Sequence, residues 1–154
     1  MVAKKTKTSL HVRAMQYLAR REHSRVELYA KLARYAEPED DVPTLLDQLA
    51  EQGWLSDQRA AEQTVRIKRS RFGTKRIVQE LRQKGIADTL IAEAIPELRA
   101  NEMETAREVW RKKFGEIAHS PKENARQIRF LQSRGFSLDV IFGILKLSDQ
   151  SDMN

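Results

Sequence analysis

Apolar side chains recur along this chain three and four residues apart, and no stretch alternates with period two for long enough to make a strand. Leu10, Ala14, Tyr17 and Leu18 share one face of a first helix, opposite Arg13, Gln16 and Arg20. Ser24 followed by Glu27 has the capping-box pattern and opens a second helix, buried through Leu28, Leu32 and Tyr35. The turn signal AEPEDD ends it. Asp41 and Pro43 then start a third helix striped by Val42, Leu45, Leu46 and Leu49. Gly53 stops it, with Trp54 placed to fold back on the last turn. Ser56 or Asp57 caps a fourth, with Ala61, Val65, the stem of Lys68 and Phe72 on the buried side, Ile67 flanking and Arg59, Glu62, Arg66 and Arg69 wet.

Gly73 and Thr74 make the next turn. Ile77, Val78 and Leu81 stripe a fifth helix ending at Gly85, and a sixth through Leu90, Ile91, Ala94 and Ile95 is expected to end near Pro96. Met103, Ala106, Val109, Trp110 and Phe114 define a seventh. Ser120, Pro121 and Glu123 start an eighth that Gly135 stops, with Phe136 beyond, and Ser137 caps a ninth striped by Leu138, Ile141, Ile144 and Leu145. The fold class is all-α.

Self-similarity reduces the nine segments to three units. ELRQKGIADTLIAEAI, residues 80–95, aligns without a gap on FLQSRGFSLDVIFGIL, residues 130–145. Leu81 meets Leu131, Gly85 meets Gly135, Ile86 meets Phe136, Ile91 meets Ile141 and Ile95 meets Leu145. These are the positions that end a helix and stripe a core. The N-terminal unit follows more loosely, with Leu28, Leu32, Leu45 and Leu49 answering Ile77, Leu81, Ile91 and Ile95. The expectation is three tandem three-helix modules at 8–54, 55–99 and 100–147, with an acidic loop at 37–41, a basic tip before residue 8 and a polar tail at 148–154 that frays. Modules this small have small cores, so they are expected to pack on one another in an elongated, slightly curved array.

Charge is distributed unevenly. The formal net charge is +6, which favours an anionic partner or an acidic protein surface. Arg66, Lys68, Arg69, Arg71, Lys75, Arg76, Arg82 and Lys84 face a single acid, Glu80, within their own stretch. Weak neighbouring pairs account for scattered charges but poorly for this run, which reads as a partner surface. Arg20, Arg21, Arg25, Lys31 and Arg34, with Arg13, form a second basic group, and Arg107, Arg111, Lys112 and Lys113 a third diluted by acids. Between Arg34 and Arg59 the sign inverts, with seven acids and no Lys or Arg. Phe72 interrupts KRSRFGTKR. It is a candidate to stack on a base, although burial in the module core is the stronger reading, and Trp54 and Trp110 likewise read as core residues.

Catalytic chemistry finds little support. There is no cysteine, so disulfides, thiolate metal sites and cysteine nucleophiles are excluded. His11, His23 and His119 lack metal-ligand spacing and read as ordinary surface or helix-end residues, and no phosphate loop or nucleophile elbow is present. The acids of EPEDD sit in a loop without supporting residues for Mg²⁺, so no cofactor or metal is expected. No apolar run has the length of a membrane span or a signal peptide, and the expected setting is cytoplasmic.

Several of these segments together resemble one family, the bacterial RecX proteins, regulators of the RecA recombinase. GWLSDQRAAEQTVR, carrying Gly53, Trp54, Leu55, Asp57 and Arg59, is similar to the family's motif at the start of its second module. GTKRIVQELRQKGI, with Gly73, Leu81, Gly85 and Ile86, resembles its arginine-rich second helix and stop. YLARREHSRVELYAKL and FLQSRGFSLDVIFGIL, the latter with Gly135 and Phe136, resemble parts of the first and third modules. Ala60 stands where members usually carry Phe. The resemblance implies a non-enzymatic modulator, monomeric by expectation, that lies in the groove of the RecA–DNA filament and alters its ATPase, stability and strand exchange, within DNA repair and the SOS response. Direct DNA binding by helix-turn-helix-like modules is the rival reading, and a DNA-processing nuclease or ATPase is a third.

Overall fold

The computed structural model describes residues 8–152, with side chains through 146; the basic tip and the last two residues of the tail lie outside the described residues. Among them are eight helices and no strand: α1 Leu10–Arg20, α2 Arg25–Ala33, α3 Val42–Glu51, α4 Asp57–Lys68, α5 Thr74–Gln83, α6 Asp88–Lys113, α7 Pro121–Ser133 and α8 Leu138–Asp152. They fall into two compact units. Unit 1 takes the chain through Gln63 together with Lys84–Ile86, and unit 2 takes Thr64–Gln83 and the chain from Ala87.

In unit 1, α2 packs on both α1 and α3. Ala14, Leu28, Leu32, Val42, Leu46, Leu49 and Leu55 make its core, all but Leu55 on the stripes the sequence predicts. Ser24 caps α2 reciprocally with Glu27, the hydroxyl accepting from the Glu27 N–H and the carboxylate from the Ser24 N–H. Tyr35 departs from expectation. It is 46% exposed, because α2 ends at Ala33 and leaves it beyond the stripe, where its ring carries the Arg13 guanidinium at 3.7 Å.

The end of α3 is a Schellman turn in which the Trp54 and Gly53 N–H groups donate to the carbonyls of Leu49 and Ala50. Leu55, not Trp54, supplies the buried residue; Trp54 is 53% exposed and is no core residue. The choice at α4 also resolves. Ser56 accepts from the Arg59 N–H, whereas Asp57 accepts at 2.7 Å from the N–H of Arg25 at the first turn of α2. Arg59 braces the turn by donating to Gly53 O and Glu22 Oε1.

In unit 2, α6 touches α5, α7 and α8, and the core gathers Ala106, Trp110, Leu131, Phe136, Ile141 and Ile144. Trp110 is a core residue as expected, its indole N–H donating to Gln127 Oε1 at 2.9 Å. The separate sixth and seventh helices of the sequence reading are one helix of 26 residues with Pro96 inside it. Its buried residues Ile91, Leu98, Glu102, Ala106 and Trp110 keep helical spacing through the proline, so packing on three neighbours outweighs one lost hydrogen bond. The backbone of α8 continues to Asp152, into the stretch expected to be a tail. Leu138 and Ile67 are half exposed, and Ala60, Ala61 and Thr64 form the buried side of α4.

Candidate functional site

The expected basic residues do not form one class of group. In unit 1 most of them have internal partners. Arg21 donates to Glu22 O and to Glu27 Oε2 at 2.8 Å, and Arg25 pairs with Asp47 at 2.7 Å. Lys84 stands 4.0 Å from Glu27. Arg20 and Arg34 are exposed. Burial works against the Glu27 carboxylate, yet hydrogen bonds from Arg21 and the Ser24 N–H, with the charge of Lys84, hold its pKa below the usual carboxylate value.

Lys31 ends beside His23, within unit 1. Its ammonium lies 2.8 Å from Nε2 of His23, whose Nδ1 lies 3.0 Å from the carbonyl of Arg21. A carbonyl only accepts, so Nδ1 carries the proton and Nε2 accepts from Lys31. His23 is a helix-end residue as expected but 1% exposed, not a surface one. Burial, reinforced by the charges of Arg21 and Lys31, lowers its pKa, and burial also lowers that of Lys31.

The acidic loop is occupied with its own backbone. Asp40 accepts from the Glu37 N–H, and Asp41 caps α3 by accepting from the N–H and hydroxyl of Thr44. Those hydrogen bonds lower the Asp41 pKa. Among the described residues no group of acids and histidines is placed to hold a metal, and no helix is long and apolar enough to cross a membrane.

Unit 2 gathers charge differently. Arg66, Arg71, Lys75 and Arg82 are exposed, and Arg69 pairs with Glu97 at 2.8 Å, an acid far off in sequence. Phe72 is half-buried and ringed by cations, with Arg76 4.2 Å from its centroid and Lys68 and Arg134 both at 5.4 Å. Arg134 also lies 5.1 Å from the Phe130 ring, which carries Lys113 at 5.4 Å and meets Phe114 edge-on. Such contacts are worth about 0.5–1 kcal/mol each at partly exposed sites. Sequence reasoning missed Arg134. The signal was present, because the repeat sets it opposite Lys84, each directly before the glycine that ends a helix.

Hydrogen bonds tie together the segments that carry Phe72, Arg76 and Arg134. The Gly73 N–H donates to Arg134 O at 2.8 Å, Arg76 Nη1 donates to Ser133 O at 2.9 Å, and the Thr74 N–H donates to the buried Glu102 carboxylate at 3.1 Å. Gly135 is at φ +92°, and a Cβ there would stand 2.7 Å from Arg76 N; one on Gly73 would collide with Gly135 O. Two glycines thus let the turn before α5 and the end of α7 touch backbone to backbone. Beside them a cleft of about 490 Å³ is lined by Lys68, Phe72, Lys75, Arg76, Gln79 and Gln132 among others.

Comparison with known proteins fits this architecture. Residues 12–49, 56–95 and 100–145 match, in order, the first, second and third three-helix domains of RecX. The chain is 44% identical to the regulatory protein RecX of Leptothrix cholodnii over 149 residues, 97% of this chain and 95% of that one. It is 45% identical to the regulatory protein RecX of Ralstonia nicotianae over 141 residues, 92% of this chain and 89% of that one. A crystal structure of RecX from Lactobacillus salivarius superimposes with a TM-score of 0.75 at 25% identity, covering 92% of this chain and 95% of that one. With three domains in register across most of its length and relatives above the identity at which family is secure, the chain belongs to the RecX family.

Proposed function

We propose that this protein modulates the RecA recombinase without catalysing a reaction, by lying in the groove of the RecA–DNA filament and altering its ATPase, stability and strand exchange. The supporting observation is the ordered match of all three RecX domains, joined in unit 2 to the exposed cations Arg66, Arg71, Lys75 and Arg82. Physically, long-range attraction from that run would draw the protein to a polyanionic filament, and specificity would come from shorter contacts. Under this reading the modules 8–54, 55–99 and 100–147 act as successive contact segments of a cytoplasmic monomer, their avidity exceeding that of any one alone.

The decisive measurement is the DNA-dependent ATPase of RecA titrated with this protein. A saturable change of either sign, reached near one protein per several protomers, supports the reading. No change at any ratio overturns it. Tight binding to a particular duplex sequence without RecA would transfer support to direct DNA binding by helix-turn-helix-like modules, and turnover of DNA or ATP by the protein alone would make it an enzyme.

A further inference from the structure

Lys68 ends α4, Arg76 lies in the first turn of α5 and Arg134 caps α7, so three separate helix segments deliver their charges to one phenyl ring. Like charges gathered so closely reinforce one another's field over the about 8–10 Å that physiological salt leaves unscreened. Among the described residues, none of Lys68, Lys75, Arg76 and Arg134 has a carboxylate within ion-pair distance. This contrasts with Arg21, Arg25 and Arg59 of unit 1, all paired. Cations gathered in this way, with no carboxylate of the described residues on them, make a site at which an external anion is favoured.

The cleft beside it narrows the kind of anion. Its volume of about 490 Å³ falls in the range of pockets that take small ligands, roughly 300–1,000 Å³. Besides the cations it presents the amides of Gln79, Gln83 and Gln132 and the carboxylate of Glu80. An acidic peptide would use the cations but would meet Glu80 as a like charge. A nucleotide uses both kinds of group, phosphate on the cations and base edge on amides and carboxylate, since an exocyclic amine donates to Glu80. A duplex keeps its base edges inside its grooves, away from side chains that line a cleft.

We propose that this cleft in unit 2 binds a segment of single-stranded nucleic acid, with phosphodiesters on Lys68, Arg76 and Arg134 and a base at the glutamines. The inference goes beyond the regulatory reading and stands without it, because it concerns a bare strand in the absence of RecA. The ring takes a particular part. With the Arg76 guanidinium 4.2 Å from its centroid, Phe72 is a support that collects cations and not a platform for a base.

The test is fluorescence anisotropy of labelled 12-nucleotide oligo-dT and oligo-dA with the full-length protein, at 50 and 200 mM salt, with a 12-base-pair duplex and octaglutamate as competitors. Lys68→Gln and Arg134→Gln should each weaken strand binding about threefold to tenfold and reduce the magnitude of the salt slope by about 0.7. Phe72→Leu should weaken oligo-dT and oligo-dA by the same factor, whereas a stacking platform would lose them unequally. Arg107→Gln, exposed on α6 and outside the cluster, should change neither quantity. Circular dichroism identifies any variant that has lost its helices, and the other cation variant then carries the test. Absent strand binding, equal loss with Arg107→Gln, preference for the duplex, or displacement of the strand by octaglutamate at comparable charge concentration would each overturn the proposal. An ATPase response by RecA with no bare-strand binding would sink the cleft and spare the regulatory reading; strand binding without that response would do the reverse.

Discussion

His23 is the residue whose chemistry is most constrained by its neighbours. Its ring takes a hydrogen bond from Lys31 on one side and donates to Arg21 O on the other, so a second ring proton would set imidazolium against ammonium at 2.8 Å. Because the folded state lowers its pKa, the unfolded chain binds the proton first as pH falls. Stability from this group is therefore full above the unfolded value near 6.5 and declines from there down to the folded pKa. Thermal melts between pH 8 and 5 should show that decline, and His23→Gln should flatten it even if it lowers the melting temperature throughout. A second residue-scale prediction concerns Gly135. Substitution by Ala places a Cβ against Arg76 at a φ that disfavours side chains, and should cost about 1–3 kcal/mol or more in urea unfolding while also loosening the cation cluster.

At the scale of elements, α6 joins what the sequence divides. Pro96 lacks the N–H that Ala92 O would accept, and an interior proline costs roughly 3 kcal/mol, part of it recovered through a stiffer unfolded chain. Pro96→Ala is expected to raise stability by about 1–2 kcal/mol, read as a higher midpoint in denaturant with an unchanged slope. The opposite sign would mean that the proline shapes the helix in a way its neighbours require. Legibility follows from this. Helix starts and stops set by local hydrogen bonding, such as Ser24 with Glu27, Asp41, Ser120 and Gly135, were readable because a few adjacent residues decide them. The repeat was readable for the same reason, and three of its matched apolar pairs are buried on both sides: Leu81 with Leu131, Ile86 with Phe136 and Ile91 with Ile141. Continuation through Pro96 was not readable, since it depends on three helices that pack on α6. Nor was the exposure of Trp54, because a Schellman turn needs one apolar residue and Leu55 already fills that role.

For the molecule as a whole, the cations of the described residues divide into those with internal carboxylate partners and those without. Composition shows the excess, but only folding pairs Arg69 with Glu97 or Lys84 with Glu27 across long sequence separations. The basic run from Arg66 to Lys84 was thus visible in the sequence, while its sorting by internal partners and the approach of Arg134 to Phe72 were not. If the regulatory reading holds, reversing Arg66, Arg69 and Lys75 together to Glu should weaken association with RecA filaments roughly tenfold or more, given several tenths of a kcal/mol per exposed charge removed and again per charge added. Helicity by circular dichroism should stay unchanged. Filament pelleting with unaltered affinity would take those three residues out of the interface.

Unit 1 takes its last three residues, Lys84–Ile86, from the far side of a stretch that belongs to unit 2. Chains emerge from the ribosome in order, so the first unit lacks buried Ile86 until α4 and α5 have both been synthesised. A nascent chain stalled at residue 63 already carries the core from Ala14 to Leu55 but lacks Ile86 and the Lys84–Glu27 contact, so it should gain a further measure of protease resistance once residue 86 has cleared the exit tunnel, a second step in the birth of this protein where its three-part pattern would suggest one.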